Sequence, residues 1–515
     1  MSQILVYNIL GWLCWLCVCL SLCVGRARGA ECHECDVSVG ATDRASPNSR
    51  RMMHTKSLAR GGGRSPLLAA FTRGLRVVAE PPLPSPLAAG DRTGAITAEP
   101  DEFSSRKLQG KQGQFRRRDV VPMWIADMDY RCPQPVIDAV VACAQRGLFG
   151  YTNPPPALTP LTLQRLASVY GCSSAKPEWI GWLSGLVPGL SHAVRVAMRR
   201  APQGSEVGIA VLTPAYPPFL SMPGFNGAAL EAVPLLETRV NCDLSGALDD
   251  EATSSVVRFE IDWSALEACL AKPSTSLLLL CNPHNPTGRC WPRQDLMRLA
   301  SLCVQHDVLV CSDEVWGEMP LQPDTAPFTS ALALVEDVSG LAERLLVLTS
   351  PSKCFNVATL DIALTVVPDA TLRAEFAAAG RDAAEVTPFG YFATEACYGD
   401  PESEAWRQRL VTYLRANRDY AVQRLTTALA GRVLVTVPEA SYLLWVDTLG
   451  KLDERELNPE AGSGAVSAAT HLLSHGVGVS AGEDFGASPS TFRINLACSR
   501  EVLERGLSRI IGALD

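Results

Sequence analysis

Ser350-Pro351-Ser352-Lys353-Cys354-Phe355-Asn356 follows directly on an apolar run, Leu345-Leu346-Val347-Leu348-Thr349. A short apolar run bounded by polar residues reads as a buried strand. Lysines sit on solvated faces in most folded chains, so one lysine past a strand means little by itself. Two earlier stretches change its meaning. Asn282-Pro283-His284-Asn285-Pro286-Thr287-Gly288 follows the apolar run Leu277 to Cys281, and Ser312-Asp313-Glu314-Val315-Trp316 follows Val308 to Cys311. The spacing between Asn285 and Asp313 has room for a helix (Pro292 to His306) and a returning strand, as a right-handed crossover requires. If the sheet is parallel, three strand ends carrying Asn, Asp and Lys open on one crevice, because ligands bind outside the carboxyl ends of such strands.

Asn-Pro-x-Asn-Pro-Thr-Gly, Ser-Asp-Glu and Ser-x-Ser-Lys in this order resemble the fold-type I pyridoxal phosphate (PLP) enzymes of the class I/II aminotransferase superfamily. Each motif is weak alone, and the set is specific. The resemblance implies that Lys353 forms a Schiff base with the cofactor. It also implies that Asp313 pairs with the protonated pyridine nitrogen and that Asn285 donates to the ring's phenolic oxygen. The implied fold is α/β, with a large domain built on a mostly parallel central sheet flanked by helices and a smaller α/β C-terminal domain.

Other stretches take a role only through the same resemblance. Trp182 to Leu190 joins a short apolar run to a helix expected over Ser191 to Arg199. Its Gly185, Leu186 and Val187 match the positions that cradle the cofactor phosphate, since a strand-to-helix turn offers free N–H groups. Read alone, it is equally a plain loop. Val207 to Leu212 reads as a strand, and Tyr216 beyond it matches the aromatic that stacks on the pyridine ring; otherwise it anchors a loop between prolines. Ser350 and Ser352 flank the lysine and join the cofactor-binding set. Tyr151, by its residues a turn tyrosine beside Gly150, matches one that reaches the cofactor phosphate of the neighbouring subunit, which implies a homodimer. Arg493, in Phe492 to Arg500, matches the arginine that grips the substrate carboxylate through a bidentate fork. Without the resemblance it would read as one end of a surface ion pair.

Val120-Val121-Pro122-Met123-Trp124-Ile125-Ala126-Asp127-Met128-Asp129-Tyr130 resembles the opening segment of one subgroup, the MalY/PatB-type cystathionine β-lyases. By its residues it is an apolar segment ending in two acids, equally a core-packing strand. Ala396-Cys397-Tyr398, Trp406, Tyr413 to Asn417, and Pro438 to Trp445 also look like that subgroup. Two departures stand out. Trp316 occupies a position where the family generally has tyrosine or histidine near the phenolic oxygen, and an indole N–H donates but cannot accept. After Lys353 the chain has Thr359-Leu360-Asp361, where aminotransferases carry a phosphate-holding arginine. The lyase subgroup lacks that arginine as well, but an inward-facing Asp361 would repel a phosphate.

The 515 residues, 47% hydrophobic and 19% charged, suit a large core and more than one domain. A net charge of −8 gives no electrostatic case for nucleic acid as a partner. The later cysteines lie mostly in apolar runs, as small buried hydrophobes, and Cys32-His33-Glu34-Cys35 lacks the second pair a metal site would need. Residues 1–105 read as leader and linker. Ile4 to Val24 is an apolar run of about membrane-spanning length. The acid-free, Arg- and Ser-containing stretch Ala45 to Ala79 has a transit-peptide composition. The expectation is import into a plastid or mitochondrion. The alternatives are a cytoplasmic protein, or a secretory or membrane-anchored one if Ile4 to Val24 is kept. No stable membrane association is expected of the mature protein. The expected division is 106–142 as an N-terminal segment joining the small domain, 143–394 as the large domain and 395–515 as the small one. Glu237 to Glu260, acidic and hydroxyl-rich, reads as an exposed insertion.

The resemblance thus implies a PLP-dependent carbon–sulfur β-lyase acting on a small amino-acid substrate such as cystathionine or an S-substituted cysteine. An aminotransferase uses the same residues and differs in where the carbanion is protonated. A non-catalytic protein on the same scaffold is the third reading, and the intact Lys353, Asp313 and Arg493 argue against it.

Overall fold

Apolar runs without polar alternation need cover on both faces, the situation of parallel strands between two helical layers. The computed structural model describes residues 106–109, 115, 119–240, 255–322, 327–450 and 467–515, which belong to one compact unit. Its strands are β1 (Val121–Pro122), β2 (Ile180–Leu183), β3 (Gly208–Thr213), β4 (Ala229–Pro234), β5 (Leu236–Arg239), β6 (Val256–Glu260), β7 (Thr275–Cys281), β8 (Leu309–Asp313), β9 (Leu345–Thr349), β10 (Ala363–Val366), β11 (Leu434–Thr436), β12 (Leu443–Asp447), β13 (Val477–Gly478), β14 (Ser480–Ala481) and β15 (Thr491–Asn495). Seven form the larger sheet, in the order β2-β10-β9-β8-β7-β3-β4. Neighbours among β4, β3, β7, β8 and β9 are parallel, and β10 runs antiparallel to both β9 and β2. Every residue of β3, β8 and β9 is buried, as their unbroken apolar runs require.

The helices on this sheet follow their sequence signals. Leu186–Arg200 turns Leu190, Ala193, Val194 and Ala197 inward, at the three-to-four spacing of an amphipathic helix, and ends on Arg199 and Arg200 where the helix dipole favours cations. It begins at Leu186, a turn earlier than Ser191, because Gly185 supplies the break. Trp263–Leu270 is capped by Asp262, whose carboxylate accepts from Ala265 N at 3.0 Å. Arg293–Gln305 makes the crossover between β7 and β8.

A six-stranded sheet, β14-β15-β12-β11-β6-β5, forms the second layer. Two features bear on the sequence reading. Glu237 to Glu260 is bounded by strands rather than being wholly an insertion. β5 pairs with β6 (Leu236↔Glu260), and β6 lies parallel to β11 (Val256↔Val435). Val256, Val257 and Phe259 are buried there, and that burial holds the segment on the C-terminal sheet. Residues 241–254, with Asp249-Asp250-Glu251, lie outside the described residues, as do Ile4 to Val24, Cys32 to Cys35 and the acid-free stretch. β1 pairs with β13 (Val121↔Val477), which ties the opening segment to the C-terminal part of the chain. The 28-residue helix Pro401–Ala428 packs Trp406, Leu410, Leu414, Ala421 and Leu425 inward and is capped by Asp400. Among the described residues no helix is long and apolar enough to cross a membrane.

Candidate active site

Strand register brings the three motifs together. Cys281 is paired with Asp313, and Asp313 with Leu348. The turns after β7, β8 and β9 therefore leave the sheet at one level, with Asn285, Asp313 and Lys353 on them. Asn282 N donates to Asp313 O at 2.9 Å, and Glu314 N to Leu348 O at 2.8 Å, which locks the three ends side by side.

Lys353 points back toward the opening segment, and its Nζ donates to the Ala126 carbonyl at 2.8 Å. Burial pushes its amine down to about 8; Arg493 adds to the shift, while Asp127 and Asp313 oppose it. An amine near 8 is partly neutral at physiological pH, and so able to attack a carbonyl or take a proton, where an ordinary lysine is not. Without PLP, acylation of Lys353 by a limiting amine reagent should therefore rise with pH through a midpoint near 8. Peptide mapping reads this, and a midpoint near the ordinary 10.5 would contradict the burial argument.

Asp313 is buried and accepts from Val315 N at 3.2 Å. Burial raises its carboxyl to about 6, with the Val315 bond and Lys353 pulling the other way. A cationic ring nitrogen placed against it would bring it fully into the ionised form. Its neighbour Glu314 is occupied elsewhere: it accepts from Ser312 Oγ at 2.9 Å and Ala331 N at 2.8 Å and ties the segment near 330 to the strand end. Tyr216 stands at the residue before helix Pro217–Phe225, with no capping bond from its side chain. Burial, then Asp313, raises its phenol, which stays protonated and able to donate.

Arg493 is buried on β15 and reaches across to the larger sheet. It donates to Asn285 Oδ1 at 2.9 Å, to the Trp124 carbonyl at 3.0 Å and to Ser480 Oγ at 3.2 Å, and it lies 4.7 Å from the Phe485 ring centroid. Its Nε is buried with no hydrogen-bond partner. Burial pulls the guanidinium down to about 10, still charged at neutral pH. Asn285 and Arg493 thus meet directly, which sequence spacing gave no reason to expect.

Gly185, at φ +146°, precedes the free amide groups of Leu186 and Val187 at a helix start. A side chain there would be strained, so the turn needs glycine. Trp316 is buried, edge-on to Tyr442 at 4.9 Å, with the Lys353 amine 5.8 Å from its ring centroid. It forms a wall of the site. Ser350 donates to Ile362 O at 2.6 Å and accepts from Ser352 N at 3.0 Å, so its proton is committed to holding the lysine turn; Ser352 is half-buried on the same turn. Tyr151 stands 95% exposed, away from these groups. Asp361 sits exposed in a left-handed turn, and its charge faces solvent.

Sequence reading missed what the opening segment does. Its contribution is mainly backbone: Ala126 O accepts from Lys353 and also from Tyr442 OH at 3.0 Å, and Trp124 O accepts from Arg493. Carbonyls leave no side-chain signal. The apolar run closing on two acids was the only hint. A cavity of about 780 Å³ lies beside the Gly185 turn, with Trp182, Ser184 and His192 among its lining, but Lys353, Asp313 and Arg493 do not border it.

A depressed lysine amine, a raised buried carboxylate and a glycine-broken helix start suit the three ends of one ligand, with a carbonyl carbon, a basic ring nitrogen and a phosphate. That set, on a mostly parallel sheet, defines the fold-type I class of PLP proteins. The chain belongs to the family described as aminotransferase class I and II, whose model matches residues 183–510. It is 33% identical over 406 residues to cystathionine β-lyase PatB of Bacillus subtilis, covering 78% of this chain and 94% of that protein. Among solved structures, that of OvoB matches with a TM-score of 0.66 at 32% identity, over 78% of this chain and 95% of that one. The PLP-bound C–S lyase of Staphylococcus hominis matches with a TM-score of 0.67 at 25% identity, over 80% and 95%.

Proposed function

We propose that this protein is a PLP-dependent carbon–sulfur β-lyase that converts cystathionine or an S-substituted cysteine, with water, into a thiol, pyruvate and ammonia. The observation that carries the reading is the likeness to a cystathionine β-lyase over nearly that enzyme's whole length, with Lys353, Asp313 and Arg493 intact at one site. Bound there, PLP supplies an electron sink for the negative charge left when Cα loses its proton. The residues supply the rest. The Lys353 amine takes the Cα proton, and its position against Ala126 O fixes the direction of approach. Asp313 keeps the ring nitrogen positive. Arg493 holds the substrate carboxylate, already aimed by Asn285 and Trp124. Gly185, Leu186 and Val187 receive the phosphate through backbone amides. Incubating purified protein with S-substituted cysteines and titrating released thiol tests the reading. Release should depend on added PLP, and no thiol from any cysteine thioether would overturn it.

The working assembly under this proposal is a homodimer. Leu148, Phe149 and Tyr151 are 80%, 62% and 95% exposed within four residues. Such a run marks a surface that another chain covers, with Tyr151 completing the neighbouring subunit's phosphate site. Sedimentation should show a dimer, and Tyr151→Ala should weaken PLP retention while leaving the dimer intact. An active monomer at low concentration would contradict this. The leader, within residues 1–105, is proposed to direct import into an organelle and to be removed upstream of Arg106, in line with its transit-like composition. Terminal sequencing of native protein that found Ile4 to Val24 retained would refute it.

A further inference from the structure

Lys107 has no exposed surface. It lies in the short helix Arg106–Gln109, far upstream of the family match. A buried ammonium is strongly destabilising unless it is paired. Its Nζ lies 2.8 Å from Asp129 Oδ1 and 4.0 Å from Asp127 Oδ1, and its carbonyl accepts from Trp124 Nε1 at 3.1 Å. Lys107 therefore clamps both ends of Trp124–Asp129. Between those ends lie the carbonyls that hold the catalytic groups: Trp124 O on Arg493 and Ala126 O on Lys353 and Tyr442. Asn495 Nδ2 bonds the Ile125 and Asp127 carbonyls from the other side. A carbonyl is aimed by the chain on either side of it, and one clamp on that chain is Lys107.

We infer that Lys107 is a positioning residue: the ion pairs of its buried amine with the half-buried Asp129 and Asp127 set the backbone that orients Lys353 and Arg493. The inference rests on the roles proposed for those two residues, while the anchoring itself is a separate matter. Lys107→Met keeps the side-chain stem and removes the charge. Lys107→Met with Asp129→Asn also removes the half-buried Asp129 carboxylate left without its partner, so it serves if the single variant does not fold. Three readouts apply to the PLP-loaded protein: amide hydrogen exchange by mass spectrometry, the thermal midpoint, and kcat per mole of borohydride-trapped cofactor.

In Lys107→Met, exchange over residues 124–130 should quicken at least about tenfold, with β7, β8 and β9 unchanged, because local opening is freed without global unfolding. The thermal midpoint should fall. Turnover per trapped cofactor should drop about tenfold or more, equivalent to roughly 1.4 kcal/mol of lost orientation. The double variant should recover the midpoint, since the half-buried carboxylate left without its partner is gone, but neither the exchange protection nor the turnover. Unchanged exchange over 124–130 in both variants would overturn the anchoring. Turnover that returned together with stability would show a purely structural lysine and overturn the positioning role. If wild-type protein released no thiol, the lyase reading would fail while the exchange result still decided the anchor.

Discussion

Lys353→Ala should abolish turnover on every amino-acid substrate while leaving the fold intact. The loss of the Cα base alone predicts a fall of roughly 10²–10⁴ in kcat. Loss of the covalent hold on the cofactor lowers activity further at limiting PLP. The fold should tolerate the change, because the amine is buried at a cost: burial has already pushed it down to about 8, so removing it relieves a desolvated charge. Circular dichroism and the thermal midpoint should match wild type or exceed it. Borohydride treatment of wild-type protein with PLP should leave the label on the peptide containing Lys353, and the variant should take none. A label on another lysine would remove the central residue assignment.

Arg493→Lys should be nearly as damaging and for a different reason. The guanidinium spends donors on Asn285 Oδ1, Trp124 O and Ser480 Oγ and keeps a buried Nε without a partner. A lysine ammonium reaches fewer of these groups and offers a carboxylate a point charge instead of a fork. Losing one partner of a buried charged hydrogen-bond pair costs on the order of 2–5 kcal/mol. That is roughly thirty- to several-thousand-fold in kcat/KM. Colour and cofactor affinity should survive, because Lys353, Asp313 and Gly185 hold the cofactor from the other sheet. A variant near wild type would show that the substrate carboxylate is bound elsewhere.

The legible part of this site lies where side chains follow apolar runs. β7, β8 and β9 were visible as unbroken Leu/Val/Cys stretches, and the polar residues just past them had to sit at a sheet edge. Their meeting point then followed from parallel topology. Arg493 was different. It was readable only through resemblance, since its contact with Asn285 joins two sheets across 208 positions of sequence. β5 and β6 were misread for the same physical reason. Their partner strand β11 lies far down the chain, and local composition near residue 250 suggests a loop. The concern over Asp361 was resolved by backbone geometry that no residue pattern announces, a left-handed turn facing solvent. Lys107 drew no notice because a lysine beside a basic, glycine-containing stretch looks solvated. Only the fold shows it sealed against Asp129.

The most direct test of the account is the partition of a single amino-acid substrate. Purified protein with PLP is given cystathionine, first without and then with a keto acid, and pyruvate, ammonia, homocysteine and the transamination product are measured together. Without any keto acid, pyruvate, ammonia and homocysteine should form in equal amounts, at a rate above amino-group transfer to every keto acid offered. Transfer that outran pyruvate release on the best substrates would contradict the lyase assignment and leave the fold and the cofactor site standing.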